Sequence, residues 1–260
     1  MTARIPTVLS WLRGAVLVLA LVGALPARAA GPAPSLETLV KAFEVIAFGS
    51  EARAVKATGV LLKWDGPDIP FNMTEFKSAE EGGLKPLPPR TLWAGYAWRH
   101  MEALERLTGL HFTDSVATRK RPLLTIVFTP RKLLAKVPIP GVEPVLMQEL
   151  AAPGGCYFLA FPGRLGVLER AFIVVNSERE PRDIEHCLLE ELTQSLGLPN
   201  DTDLVRPSIF SDHDRLTSLS PTDEILVRTL YSKRLQPGMS RKAAMTTARL
   251  LIAQQLAALR

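Results

Sequence analysis

Beyond residue 30 the apolar positions of the chain recur first at helical and then at extended spacing, and this pattern repeats towards the C-terminus. Leu36 to about Phe48 has the helical period and predicts a first helix. The stretch Val60-Leu61-Leu62-Lys63-Trp64 is extended and apolar and ends at Asp65-Gly66-Pro67, so it reads as a strand closed by a turn. From about Pro89 to Leu107, residues Leu92, Tyr96, Met101, Leu104 and Leu107 predict a long helix, with Gly109 as its stop. Leu123 to Phe128 and Ala171 to Val175 are rich in β-branched residues and predict buried strands. Residues 130–155 carry Pro130, Pro138, Pro140, Pro144 and Pro153 and read as mostly irregular connection. Ile184, Leu188, Leu192 and Leu196 mark one face of a further helix that Gly197 ends. A last helix is predicted over about 240–260, with Met245, Ala248, Leu251, Ile252 and Leu256 turned inward. Mixed helices and strands of this kind make an α+β domain.

The first 29 residues belong to a different category. Arg4 and Arg13 precede an uncharged apolar run, Gly14 to Leu25, which is followed by Pro26 and Ala27-Arg28-Ala29. That is the layout of a secretory signal with an Ala-x-Ala cleavage site. The run is well short of the roughly 20 apolar residues a membrane-spanning helix needs. The expectation is a signal peptide over 1–29, a single domain over 30–260 free in the periplasm or secreted, and no membrane span after cleavage.

Charge then loses most of its force as a clue. The chain has 31 basic and 26 acidic residues; Arg4, Arg13 and Arg28 leave with the signal, so 28 basic residues remain against 26 acidic, a net +2. No nucleic-acid partner is expected, because such binding needs a clustered basic face. The densest basic run, Arg119-Lys120-Arg121, sits beside Pro122 and reads as a solvated turn. Both cysteines, Cys156 and Cys187, lie in the exported part, where an oxidising compartment favours their pairing; free buried thiols or a thiol ligand are the competing readings.

Chemistry concentrates between Asp183 and Asn200. Glu190-Glu191-Leu192-Thr193-Gln194-Ser195-Leu196-Gly197-Leu198-Pro199-Asn200 has the spacing of the extended zinc signature HExxHxxGxxH, with its second-position glutamate and its glycine. Glu190, Gln194 and Asn200 stand where that signature has histidines. Positions 190 and 194 are one helical turn apart and project side by side, and a bend at Gly197 would let the chain return towards them. Downstream, Pro207-Ser208-Ile209-Phe210 resembles the matrixin Met-turn with Phe210 in place of methionine, and Leu219 to Glu224 leading into Ile225 to Tyr231 is similar to the terminal matrixin helix. Upstream, Trp98 to Leu107 followed by Thr108 to Thr113 resembles the first matrixin helix and its exit into a strand.

The whole chain more closely resembles the proteobacterial family catalogued as domain of unknown function 2927. Phe48-Gly49-Ser50-Glu51, Lys63-Trp64, His186 to Glu191, Gln194 to Asp201, Ser208-Ile209-Phe210 and Leu235 to Met239 carry that resemblance. It implies an envelope location and, through the degenerate matrixin motif, a zincin-like mixed sheet with two main helices plus a C-terminal helix. It implies no activity.

Zinc is held by Cys, His and carboxylates, and the neutral amides of Gln194 and Asn200 are weak donors to it. An oxygen-rich set of Glu190, Gln194, Asn200 and Asp201 would suit a harder divalent cation better, and His186, one turn before Glu190, is an alternative donor. Adjacent buried carboxylates also call for compensation, and Arg206 or Arg228 is the expected partner of Glu190 or Glu191. Two readings follow. One is a noncatalytic protein, without a resident cofactor, whose cleft binds an extended peptide or an envelope protein. The other is a metal-dependent hydrolase or peptidase with altered ligands and Glu191 as general base.

Overall fold

A computed structural model describes residues 34–49, 59–77, 79–80 and 83–258. The expected signal peptide lies outside the described residues. Helix α1, Leu36–Phe48, begins where the Ser35 side chain accepts from the Thr38 N–H and buries Leu39, Phe43 and Ile46. The segment expected to be a strand at 60–64 is not one. Its bulk is buried, but its backbone is shared between two loops: Leu61 N–H donates to Met239 O (2.9 Å), and Lys63 N–H donates to Gly166 O (3.1 Å). It is a single extended thread, and the ladder begins after Gly66-Pro67, with β1, Asp68–Glu75.

A short ribbon, β2 (Ala79–Glu80) and β3 (Gly83–Leu84), precedes α2, Thr91–Thr108, which ends at Gly109 in the left-handed conformation as its sequence predicts. Then come β4 (His111–Asp114), the short helix α3 (Ser115–Thr118) and β5 (Leu124–Thr129). Arg119 to Arg121 are exposed in the turn after α3. Residues 130–155 are more regular than their prolines suggest, with a 3-10 turn at Arg131–Lys136 and helix α4 at Pro144–Ala151. Pro144 is tolerated there because it occupies the first turn, where no backbone N–H is needed. The remaining elements are β6 (Cys156–Pro162), β7 (Leu168–Asn176), α5 (Pro181–Gln194), α6 (Pro221–Tyr231) and α7 (Arg241–Ala258). Among the described residues no helix is long and apolar enough to cross a membrane.

The five-stranded sheet has the order β4-β1-β5-β7-β6, parallel throughout except for β6, which runs antiparallel to β7 at one edge. Both faces are covered, which is why β5 and β7 read as nearly continuous apolar runs. One face carries the main core, where Leu124, Ile126, Phe128, Ile173 and Val175 meet α2, α5, α6 and α1. The other, with Val127, Tyr157, Leu159 and Val174, is closed by the 3-10 turn and α4. Helix α7 lies on α1 through Ala244, Ala248 and Ile252, with Met245, Leu251 and Leu256 packed beside them, and Arg249 pairs with Glu37 and Arg241 with Glu44. His100 is buried and donates from Nε2 to Glu185 O (3.1 Å), a carbonyl that can only accept; burial pushes its pKa down to about 4, so it serves as a neutral tie between α2 and α5.

Candidate metal centre at the end of the fifth helix

Helix α5 is positioned by Ile184, Leu188 and Leu192, all fully buried in the main core. A disulfide between Cys187 and Cys156, with Cα atoms 6.0 Å apart, fastens it to the first residue of edge strand β6. Pairing of the two cysteines is thus the arrangement the structure adopts. Their sequence separation of 31 gives the bridge a stabilising effect of about 3 to 4 kcal/mol in the chain-entropy treatment. Arg179 Nη1 lies 3.3 Å from Cys187 Sγ, and its Nη2 lies 3.4 Å from Asp183.

One turn further on, carboxylate oxygens of Glu190 and Glu191 and the sulfur of Cys156 all lie within 4.8 Å of one another. The sulfur is bonded to Cys187, so in this state the group supplies two carboxylates and no thiolate. His186 is buried, with Nδ1 2.9 Å from Leu216 O and Nε2 3.4 Å from Glu190 Oε2. The carbonyl only accepts, so Nδ1 carries the proton. Burial holds the imidazole pKa below its usual value.

Beyond Gln194 the chain turns sharply. Gly197 has φ +114°, and a Cβ there would overlap the Leu62 carbonyl oxygen. Trp64 Nε1 donates to Ser195 O (3.1 Å) and Tyr231 Oη to Leu196 O (2.9 Å), which fixes the bend from two sides. Lys63, beside Trp64, is buried and donates from Nζ to Leu235 O (2.9 Å) and Ser232 O (3.3 Å); burial pushes its pKa down to about 8. The bend delivers Asp201 to the helix end, where its Oδ1 accepts from Gln194 Nε2 at 2.7 Å. Asn200 does not join them. Its amide donates to Asp201 O (2.9 Å) and its side chain packs against Gly49 at the end of α1, where an added Cβ would come within 2.5 Å of Asn200 Cγ. The expectation that residue 200 returns to residues 190 and 194 is corrected: the glycine at the end of α1 leaves a recess that Asn200 fills, and Asp201 takes the inward place.

A family model described as "Protein of unknown function (DUF2927)" matches residues 37–249. The chain belongs to this family. No curated protein matches it. In this DUF2927 protein the match runs from the first turn of α1 into α7, so it takes in the whole sheet, both cysteines and every residue just described.

The arginines expected to compensate the glutamates are engaged elsewhere in the DUF2927 protein. Arg206 donates to both oxygens of Asp214 (3.2 and 2.9 Å), and Arg228 pairs with Glu224 one turn away (2.8 Å). Both pair near neighbours in sequence at or close to the surface, where such an ion pair adds little stability. His213, at 3.3 Å from Asp203, is exposed, as is His111.

The turn at residues 207–211 is tied to the start of α6 by Asp223, to which the motif spacing assigns no role. Asp223 is fully buried. It accepts from Ser208 Oγ (2.6 Å), Ile209 N–H (3.1 Å) and Ser220 N–H (2.8 Å), while its own N–H donates to Ser220 Oγ (3.1 Å). The signal was present in Ser220-Pro221-Thr222-Asp223, a capping pattern with Asp at its third helical position.

These residues do not suit the zinc that the motif spacing implies. Of positions 190, 194 and 200 only Glu190 brings a charged donor. Gln194 must turn its amide nitrogen, not its oxygen, towards the Asp201 carboxylate, because two acceptors would repel. Asn200 faces Gly49. The oxygen-rich set of Glu190, Gln194, Asn200 and Asp201 is likewise divided, with Glu190 beside His186, Glu191 and Cys156 and the other polar pair at the bend.

Proposed function

We propose that this protein is an exported, zincin-like and noncatalytic member of its family, whose cleft beside α5 and β6 binds an extended peptide or another envelope component. The observation that carries the reading is the Gln194 to Asp201 hydrogen bond, which commits the second motif position to holding a carboxylate in place of a metal. The mixed sheet, the two main helices α2 and α5 and the terminal α7 support the zincin-like part. The binding part is supported by β6. It lies at the end of the strand order, and among the described residues no group hydrogen-bonds its outer edge, so its backbone is open to pairing with an added strand.

Metal analysis of the purified, disulfide-bonded protein tests this. The expected result is well under one equivalent of any divalent metal, unchanged in Glu190→Ala and Gln194→Ala. One equivalent in the wild type, lost in both variants, would reject the noncatalytic reading and favour a metal-dependent hydrolase with Glu191 as general base.

A further inference from the structure

We infer that reduction of the Cys156–Cys187 bridge converts the junction of α5 and β6 into a zinc site with Cys156, Cys187, Glu190 and Glu191 as its ligands. Only Glu190 is shared with the zinc-signature positions, and the inference concerns the reduced protein, whereas the proposed function concerns the oxidised one.

Three of the four donors are already close together, and the fourth is joined to one of them. Cys156 Sγ and the carboxylate oxygens of Glu190 and Glu191 lie within 4.8 Å of one another, and Cys187 Sγ is bonded to Cys156 Sγ. Around a tetrahedral zinc, with Zn–S about 2.3 Å and Zn–O about 2.0 to 2.2 Å, donor atoms sit roughly 3.3 to 3.8 Å apart. The carboxylates therefore need to move by about 1 Å, and the sulfurs need only separate by side-chain rotation once their bond is gone. Three of the four donors, Cys187, Glu190 and Glu191, are on adjacent turns of one helix fixed in the core, so most of the site is preorganised. Thiolate donors select zinc over the harder cations that carboxylates alone would take.

The surroundings favour opening the bridge in one direction. Cys156 is half-buried, whereas Cys187 is 1% exposed. An external dithiol therefore attacks Cys156 sulfur, and Cys187 leaves as a thiolate beside the Arg179 guanidinium at 3.3 Å, which stabilises it. The second thiol of the reductant then displaces Cys156. The reductant ends as a disulfide, having supplied two electrons and two protons, and the protein holds two thiols. Zinc binding releases two protons as both sulfurs coordinate as thiolates. Arg179 also offsets part of the negative charge of two thiolates and two carboxylates around one dication.

The test is zinc and cobalt(II) titration of the full chain, oxidised or reduced with a phosphine and handled without oxygen. The expected result is one equivalent of zinc bound by the reduced protein only, with a thiolate-to-cobalt charge-transfer band and intense tetrahedral visible bands for cobalt. Cys156→Ser should lower the charge-transfer band to about half, leaving Cys187 as the one thiolate donor, and weaken zinc binding. Glu190→Gln and Glu191→Gln should each weaken zinc by about tenfold or more, the lower end of what changes behind the ligands cost at metal sites. The inference is overturned if the reduced protein keeps its far-ultraviolet circular dichroism but binds no zinc, or if it loses that signal and zinc does not restore it. It is also overturned if both glutamine variants bind zinc as tightly as the wild type. Zinc bound equally by the oxidised and reduced proteins would overturn the inference, whereas metal in the oxidised protein that Gln194→Ala removes, with a further equivalent taken up on reduction, would reject the proposed function alone.

Discussion

Asp223→Ala is expected to lower folding stability by about 4 kcal/mol, read as a fall in the denaturant midpoint at unchanged slope. The carboxylate is fully buried and collects three donors from two separate segments: Ser208 and Ile209 in the turn below α5, and Ser220 at the start of α6. Burial pushes its pKa up, and the same hydrogen bonds pull it back down. Alanine would strand two backbone N–H groups and a hydroxyl, each at a cost of about 1 to 3 kcal/mol when unsatisfied. The hydroxyl can rotate and recover part of this, so the sum falls below the maximum. Against a typical total of about 5 to 15 kcal/mol the loss is large. Asp223→Asn keeps the volume and one acceptor, so its loss should be smaller. A change under about 1 kcal/mol in the alanine variant would show that the carboxylate does not hold the turn to α6.

Gly197→Ala should cost about 3 kcal/mol or more, and the loss should centre on the bend. At φ +114° an L residue is strained in its own backbone, and the added methyl also meets the main-chain oxygen of Leu62, which cannot swing aside as a side-chain tip could. Gly109→Ala is the matched comparison. It also has positive φ (+73°), but a Cβ there meets nothing within 4 Å, so only the left-handed strain of about 1 to 2 kcal/mol applies. Equal losses in the two variants would show that contact with residue 62 does not define the bend. Denaturant unfolding of both proteins under one condition decides this.

Periodicity was enough to place the elements whose own residues repeat strongly. Helix α1 spans the residues its apolar spacing marks, and α2, α5, α7, β5 and β7 lie within a few residues of their patterns; α6 includes the segment that the matrixin resemblance marks. The failures have identifiable causes. Residues 60–64 are apolar because they thread between the β6–β7 connection and residues 238–240, a tertiary reason that mimics a strand. Strand β1 was hidden by Pro70 and by Asn72, Thr74 and Glu75, polar residues in a strand with neighbours on both sides. In β6, Tyr157 and Leu159 turn to one core while Phe158 and Ala160 turn to the other, so it shows no single-faced alternation. At the candidate site the helix, its glycine bend and the disulfide were legible. Which of residues 200 and 201 turns inward was not, because Gly49, remote in the sequence at the end of α1, decides it. The arginine partners differ from the expected ones for a related reason, since Asp214 and Glu224 lie close to Arg206 and Arg228 and meet them first.

The bend at Gly197 joins Asp201 to Gln194, while Glu190 stays with His186, Glu191 and Cys156, so the motif positions gather no set of zinc-binding donors. The most direct measurement is the zinc content of the oxidised wild type beside the triple variant Glu190→His/Gln194→His/Asn200→His. The expected result is well under one equivalent in both, because Asn200 faces Gly49 and a histidine there does not reach the other two positions. One tightly bound equivalent in either protein, with both folded, would contradict it.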